Sequence, residues 1–187
     1  MRRTTSLGLF LCCAGLAVLL PALDATAQPM GTIHYTNQKY GFSLSLPGDV
    51  FVPGSARNPE EGGLWLSKDG QSRVIAVAAP NATGDTLEAY RTFVIQQTYK
   101  DAAFDYTPVR DNWFVLSGRL GDVVFYERIN LVCDGRYIYG WQMFYPAAEK
   151  RRYDRIAEAI HRSYRIGRGE DGRCGPGASA NAGSDAR

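Results

Sequence analysis

VVFYERINLVC, residues 123–133, and RYIYGWQMFY, residues 136–145, are two runs rich in β-branched and aromatic residues, separated by Asp134 and Gly135 alone. Asp-Gly between two such runs signals a hairpin, because a tight two-residue turn needs left-handed backbone that Asp and Gly tolerate. A turn of that length also sets the register. Cys133 then faces Arg136, and Leu131 pairs with Ile138, Ile129 with Gly140, Glu127 with Gln142 and Phe125 with Phe144. These residues share one mostly apolar face, which is expected to be core. The other face pairs Val132 with Tyr137, Asn130 with Tyr139, Arg128 with Trp141 and Tyr126 with Met143. A preceding turn centred on Leu120-Gly121 puts Gly118 opposite Val123, Leu116 opposite Phe125, Val115 opposite Tyr126 and Trp113 opposite Arg128. Residues 111–145 thus read as a β-meander.

In this register Arg128 lies between Trp113 and Trp141, with Tyr126, Asn130, Tyr137 and Tyr139 nearby. Two readings of that second face stand side by side. It is an aromatic and polar binding surface around a guanidinium, suited to an acidic or planar ligand or a partner's edge. Or a helix covers it and Arg128 stacks between aromatics with its head at the rim. The second is favoured, since aromatic cross-strand pairs stabilise sheets in any case. Arg128 and both tryptophans fully covered would eliminate the binding surface.

Upstream, Thr32–Thr36 reads as a short strand, and Phe42-Ser43-Leu44-Ser45-Leu46 alternates strictly, as a half-buried strand does. Leu64–Lys68 and Gln71–Ala79 flank Asp69-Gly70 as a second hairpin with a type I′ turn. Asp85–Tyr99 is expected to be helical, with Asp85 as cap and Glu88 completing a capping-box-like pair. A short strand is placed at Phe104–Val109. The last helix spans Ala148–Tyr164, with Tyr153, Ile156, Ala157, Ile160 and Tyr164 as its apolar stripe. Short turns between consecutive strands make the pairing antiparallel. The expected class is α+β: a single mostly antiparallel sheet of about six or seven strands with two main helices on it.

Arg2 and Arg3, the apolar run Leu7–Leu20 and Ala25-Thr26-Ala27 before Gln28 form a secretory signal peptide over residues 1–27. Cys12 and Cys13 lie inside the apolar run and not at its end, so lipidation is not expected. The mature protein is placed in a bacterial periplasm, without a membrane anchor after cleavage. It comprises one domain over residues 28–167 and a Gly-rich tail, 168–187, tethered at Cys174 and disordered beyond it. Cleavage takes 21 basic residues to 19 and 19 acidic residues to 18, a net charge of +1. Near neutrality argues against nucleic acid and against a polybasic membrane surface. Two cysteines remain, Cys133 and Cys174. An oxidising compartment and an even count predict a disulfide between them.

The run Tyr35-Thr36-Asn37 through Tyr40-Gly41-Phe42-Ser43-Leu44 to Leu46-Pro47 is followed by a hairpin, a mid-chain helix and a last helix ending Ile160-His161-Arg162-Ser163-Tyr164. Together these resemble the Mog1/PsbP-like α/β/α sandwich family, in particular its exported bacterial members, in order of elements from Ile33 to Ile166. The resemblance implies a non-catalytic scaffold. Family members assist photosystem II assembly, bind a small GTPase or act as exported accessory proteins. No binding residue carries over.

The chemical inventory is sparse. There are two histidines, His34 and His161, with no second ligand at metal spacing, so no metal and no cofactor are expected. His161 reads as a helix-end cation or partly covered residue. No nucleophile elbow, phosphate loop or dinucleotide fingerprint occurs. Asp101, Asp105 and Asp111 flank the central segment and would carry an alternative reading, a small exported hydrolase using carboxylates. A structural subunit of an envelope complex is a third reading. The favoured one is a non-catalytic periplasmic binding or accessory protein with a protein partner or small ligand.

Overall fold

The computed structural model describes residues 31–169 and Cys174; the expected leader and the rest of the tail lie outside the described residues. Thr32–Thr36 (β1) and Ser43–Pro47 (β2) form a two-stranded antiparallel ribbon. Phe51–Pro53 (β3), Gly62–Ser67 (β4), Arg73–Pro80 (β5), Ala103–Tyr106 (β6), Val109–Arg110 (β7), Trp113–Leu120 (β8), Val123–Val132 (β9) and Tyr137–Pro146 (β10) form one eight-stranded antiparallel sheet. Its order is β3-β4-β5-β10-β9-β8-β6, with β7 also on β8. Leu87–Thr98 (α1) connects β5 to β6, and Lys150–Ser163 (α2) follows β10 after a 3-10 turn at Ala147–Glu149.

The α+β class and the antiparallel sheet agree with the sequence. The sheet is larger than expected because β3 and β7 are only three and two residues long, too short to show alternation. β1 and β2 form a separate ribbon. Phe42, Leu44 and Leu46 are buried in one cluster with Tyr153, Ala157 and Ile160 of α2. Ser163 Oγ accepts from Ser45 N at 2.9 Å, fastening the ribbon to the helix end.

All of the ladder derived for the Asp134-Gly135 hairpin is present, from Val132 opposite Tyr137 to Phe125 opposite Phe144. The β8–β9 ladder is shifted by two. Leu120 pairs with Val123, Gly118 with Phe125, Leu116 with Glu127, Val115 with Arg128 and Trp113 with Asn130. The turn is Gly121-Asp122, with Gly121 at φ +60°. A turn on Leu120-Gly121 would have forced a leucine toward that left-handed region, which costs roughly 1–2 kcal/mol. A shift of two leaves every side chain on its expected face.

Both faces of the sheet are core. Phe125, Ile129 and Leu131 lie with Phe114, Leu116, Val94 and Tyr99 beneath α1. The other face, read as binding surface or covered face, carries the larger cluster. There Val132, Tyr139, Trp141, Met143 and Tyr145 meet α2 and the ribbon. α1 begins two residues later than expected, because Thr86 is its cap, Thr86 Oγ1 accepting from Ala89 N at 3.2 Å. Asp85 instead accepts from Thr83 Oγ1 at 2.5 Å. The Asp69-Gly70 turn has left-handed backbone at Gly70 alone, so it is not the expected type I′.

The expected Cys133–Cys174 bridge is not formed: both thiols are free and buried. Arg136 lies between the two segments, its Nε donating to Cys133 O at 3.1 Å and its Nη2 reaching Cys174 Sγ at 2.6 Å.

Candidate functional site

β8 and β9 present Trp113, Val115, Ser117, Tyr126 and Arg128 on the α2 side, by the alternation of a strand. α2 presents Asp154, Ala157, Glu158 and His161 at spacings of three and four, so they share one helix face. A cleft of about 440 Å³ lies between these two sets. Tyr106 of β6, exposed at the sheet edge, also lines it.

Arg128 is half-buried on the cleft wall. Its guanidinium lies 4.5 Å from the centre of the Trp113 ring. Its Nε donates to Asn130 Oδ1 at 3.1 Å. Asn130 is 1 % exposed, so the guanidinium is held between a buried acceptor at Nε and the Trp113 indole. No carboxylate among the described residues lies within 4.0 Å of it, whereas both cleft carboxylates are engaged. Lys150 Nζ binds Asp154 at 2.7 Å, and Tyr145 hydroxyl donates to the same carboxylate at 2.7 Å. Arg162 Nη1 binds Glu158 at 2.6 Å.

Tyr126 stacks on Trp141 with ring centres 4.9 Å apart. Its hydroxyl lies 3.2 Å from His161 Nδ1. Burial pushes the Tyr126 phenol up to about 12, against the opposing pull of Arg128, so it keeps its proton. Burial, and then the Arg128 and Arg162 charges, hold His161 below the ordinary histidine range, so the imidazole is neutral at pH 7. The site therefore offers one fixed planar cation, a phenol–imidazole pair and apolar walls.

The sequence-predicted residues divide. Trp113, Arg128 and Tyr126 come together on the cleft, and Asn130 stands behind Arg128 as its positioning partner. Trp141 is 1 % exposed and supports Tyr126, so Arg128 is not sandwiched between two indoles: it stacks on Trp113, which leans toward it from opposite Asn130. Tyr139 lies in the interior, where its hydroxyl donates to Tyr40 O at 3.0 Å and accepts from Gly169 N at 2.8 Å. The favoured covered reading is only half met: Trp141 and Tyr139 are buried, Tyr139 against Tyr40 and Phe42, but Arg128 and Trp113 are left partly open. The α2 residues were missed, although their helical spacing was visible.

Asp101 lies in the turn before β6, Asp105 on β6 and Asp111 in the turn before β8, each exposed. Among the described residues, no three His, Cys, Asp or Glu side chains converge to hold a metal ion. A larger depression, about 540 Å³, lies at the β9–β10 turn and the start of α1. Asn81 there spends its Nδ2 on Asp85 O and Gly135 O, at 2.9 and 2.8 Å, in closing the loop. Among the described residues, no helix is long and apolar enough to cross a membrane.

No family model and no curated protein matches the chain. Solved structures do. A cyanobacterial PsbP from Synechocystis sp. PCC 6803 superposes with a TM-score of 0.54 at 10 % identity, covering 75 % of this chain and 95 % of that one. A point mutant of protein Mog1 superposes with a TM-score of 0.51 at 10 % identity, covering 73 % and 96 %. At such identity the likeness concerns the fold, and the fold is Mog1/PsbP-like, as the sequence resemblance implied.

Proposed function

We propose that this chain is a non-catalytic, exported binding or accessory protein, acting in a bacterial periplasm, whose binding site is the cleft between β8–β9 and α2. The observation that carries the reading is Arg128. A guanidinium set against an indole, fixed through Nε and without a carboxylate partner among the described residues, is already oriented for recognition, so little ordering cost remains at binding. The sparse catalytic inventory and the implied scaffold role support the absence of chemistry. The leader pattern over residues 1–27 supports export, and protein recovered from the periplasm is then expected to begin at Gln28.

A thermal-shift screen of small organic compounds, run on wild type and on Trp113→Ala together, tests the cleft. A ligand at about 100 times its Kd stabilises by about 2.7 kcal/mol, several degrees in Tm for a domain of this size. The expected result is a compound whose shift disappears in Trp113→Ala. A screen without any such compound, together with a periplasmic pull-down whose captured proteins are all retained by Trp113→Ala, overturns the reading.

A further inference from the structure

We infer that the ligand of the sheet–α2 cleft is a small organic monoacid with a flat apolar body, its carboxylate lying in the plane of Arg128 against the two Nη atoms. The inference rests on the cleft being a binding site and concerns which chemistry fits it.

The charge on the two walls is unequal in a specific way. On the sheet wall Arg128 carries a positive charge that no carboxylate of the described residues neutralises. On the helix wall Asp154 and Glu158 each have a cation, Lys150 and Arg162, at 2.7 and 2.6 Å. His161, between them and Tyr126, is neutral at pH 7 and adds no charge. The cleft is therefore short of one negative charge. A second one would face the Asp154 and Glu158 carboxylates across the cleft, and like charges disfavour it there. That separates a monocarboxylate from a phosphate ester, which carries close to two charges at neutral pH.

Geometry separates a carboxylate from a simple anion. With Nε committed to Asn130 Oδ1 and its central carbon 4.5 Å from the Trp113 ring centre, the guanidinium presents its Nη edge as a planar two-donor fork. A carboxylate matches that fork with two parallel hydrogen bonds. Beyond it the walls are Val115, Ala157 and the Tyr126 ring, which favour an apolar body, and the aromatic sides favour a flat one. A cleft of about 440 Å³ is in the usual range for small-molecule sites.

The test is calorimetric titration of the whole purified protein at pH 7.5 and low salt with three naphthalene compounds: 2-naphthoate, 2-naphthyl phosphate and 2-naphthylmethylamine. The expected order is naphthoate tightest, the phosphate at least about tenfold weaker and the amine without measurable binding. Arg128→Lys keeps the charge and loses the fork, so naphthoate should weaken about tenfold. Ser117→Phe fills the cleft from β8 without touching Asn130 and should abolish binding even if Arg128 variants fold poorly. Phosphate or amine binding as tightly as naphthoate, or undiminished affinity in Arg128→Lys, overturns the monoacid. If naphthoate does not bind but the screen yields another compound lost in Trp113→Ala, the monoacid is wrong and the cleft stands. If no compound responds to Trp113→Ala or Ser117→Phe, both are wrong.

Discussion

Glu127 is a buried carboxyl whose placement is costly. It sits opposite Leu116 and Gln142 in the sheet, 7 % exposed beneath α1, and its Oε2 lacks a hydrogen-bond partner. Burial pushes the carboxyl from 4.5 up to about 7, and the Tyr99 hydroxyl offsets this only in part. The folded protein therefore holds this proton to higher pH than the unfolded chain does. Below pH 4.5 both states are protonated. Between about 4.5 and 7 the unfolded state releases the proton first, so stability falls as pH rises through that window and then levels off. A shift of this size corresponds to about 3 kcal/mol. Glu127→Gln removes the ionisable group and keeps the shape, so the variant should be more stable than wild type at pH 8 and lack this fall between pH 5 and 8. Urea unfolding at both pH values checks it; parallel behaviour of the two proteins would refute the assignment. The same position shows what alternation can reveal from sequence. It put Glu127 on an inward face with Phe125 and Ile129, but did not show that a carboxylate would remain there without a full set of partners.

At the scale of elements the two helices are unequal. α2 buries Tyr153, Ala157 and Ile160, a spacing of four and three that keeps them on one face. α1 buries Val94 alone, and Phe93 is 54 % exposed. Leu87, Tyr90 and Ile95 of α1 are only partly buried against the cluster below. Fewer buried apolar contacts mean a lower free energy of local opening. Amides of Leu87–Thr98 should exchange with deuterium well before those of Lys150–Ser163, read by mass spectrometry of native protein; equal protection would show that α1 is as firmly docked as α2. The elements also explain what the sequence disclosed. Asp134-Gly135 pinned one ladder completely, because strong turn chemistry lies between two long runs. At Leu120-Gly121-Asp122 a single glycine allowed two placements of the turn, and φ at Gly121 resolved them. The cleft was half legible: Trp113, Tyr126 and Arg128 followed from strand alternation. Asp154, Glu158 and His161 could join them only once it was known which sheet face α2 covers and at what separation.

The molecule as a whole is closed at its C-terminal end by a short strap. After α2, Arg165 N donates to Ser43 O at 2.8 Å and Ser43 N to Arg165 O at 3.0 Å, fastening the strap to the ribbon. Gly167 passes so close to Tyr40 that a Cβ there would stand 1.7 Å from its carbonyl oxygen, so glycine is required. Gly169 N then reaches the Tyr139 hydroxyl at 2.8 Å, and Cys174 N bonds Arg168 O at 2.7 Å. Residues 165–169 thus run from helix to ribbon to sheet, and Cys174 is buried in the same cluster as Cys133, with Arg136 bonded to both segments. A disulfide between the two thiols would require each to lose a proton and the pair to give two electrons to an oxidant. The bridge would displace Cys174 Sγ from Arg136 Nη2 and close the chain from residue 133 to 174. On the chain-entropy account such a closure stabilises by about 3–4 kcal/mol, less any strain. With both thiols free, the purified protein should melt at the same temperature with and without reductant, whereas a formed bridge would make it melt several degrees lower after reduction. Two thiols that both titrate in denatured, unreduced protein would show that the strap is held by Arg165, Gly167, Gly169 and the buried Cys174 side chain alone.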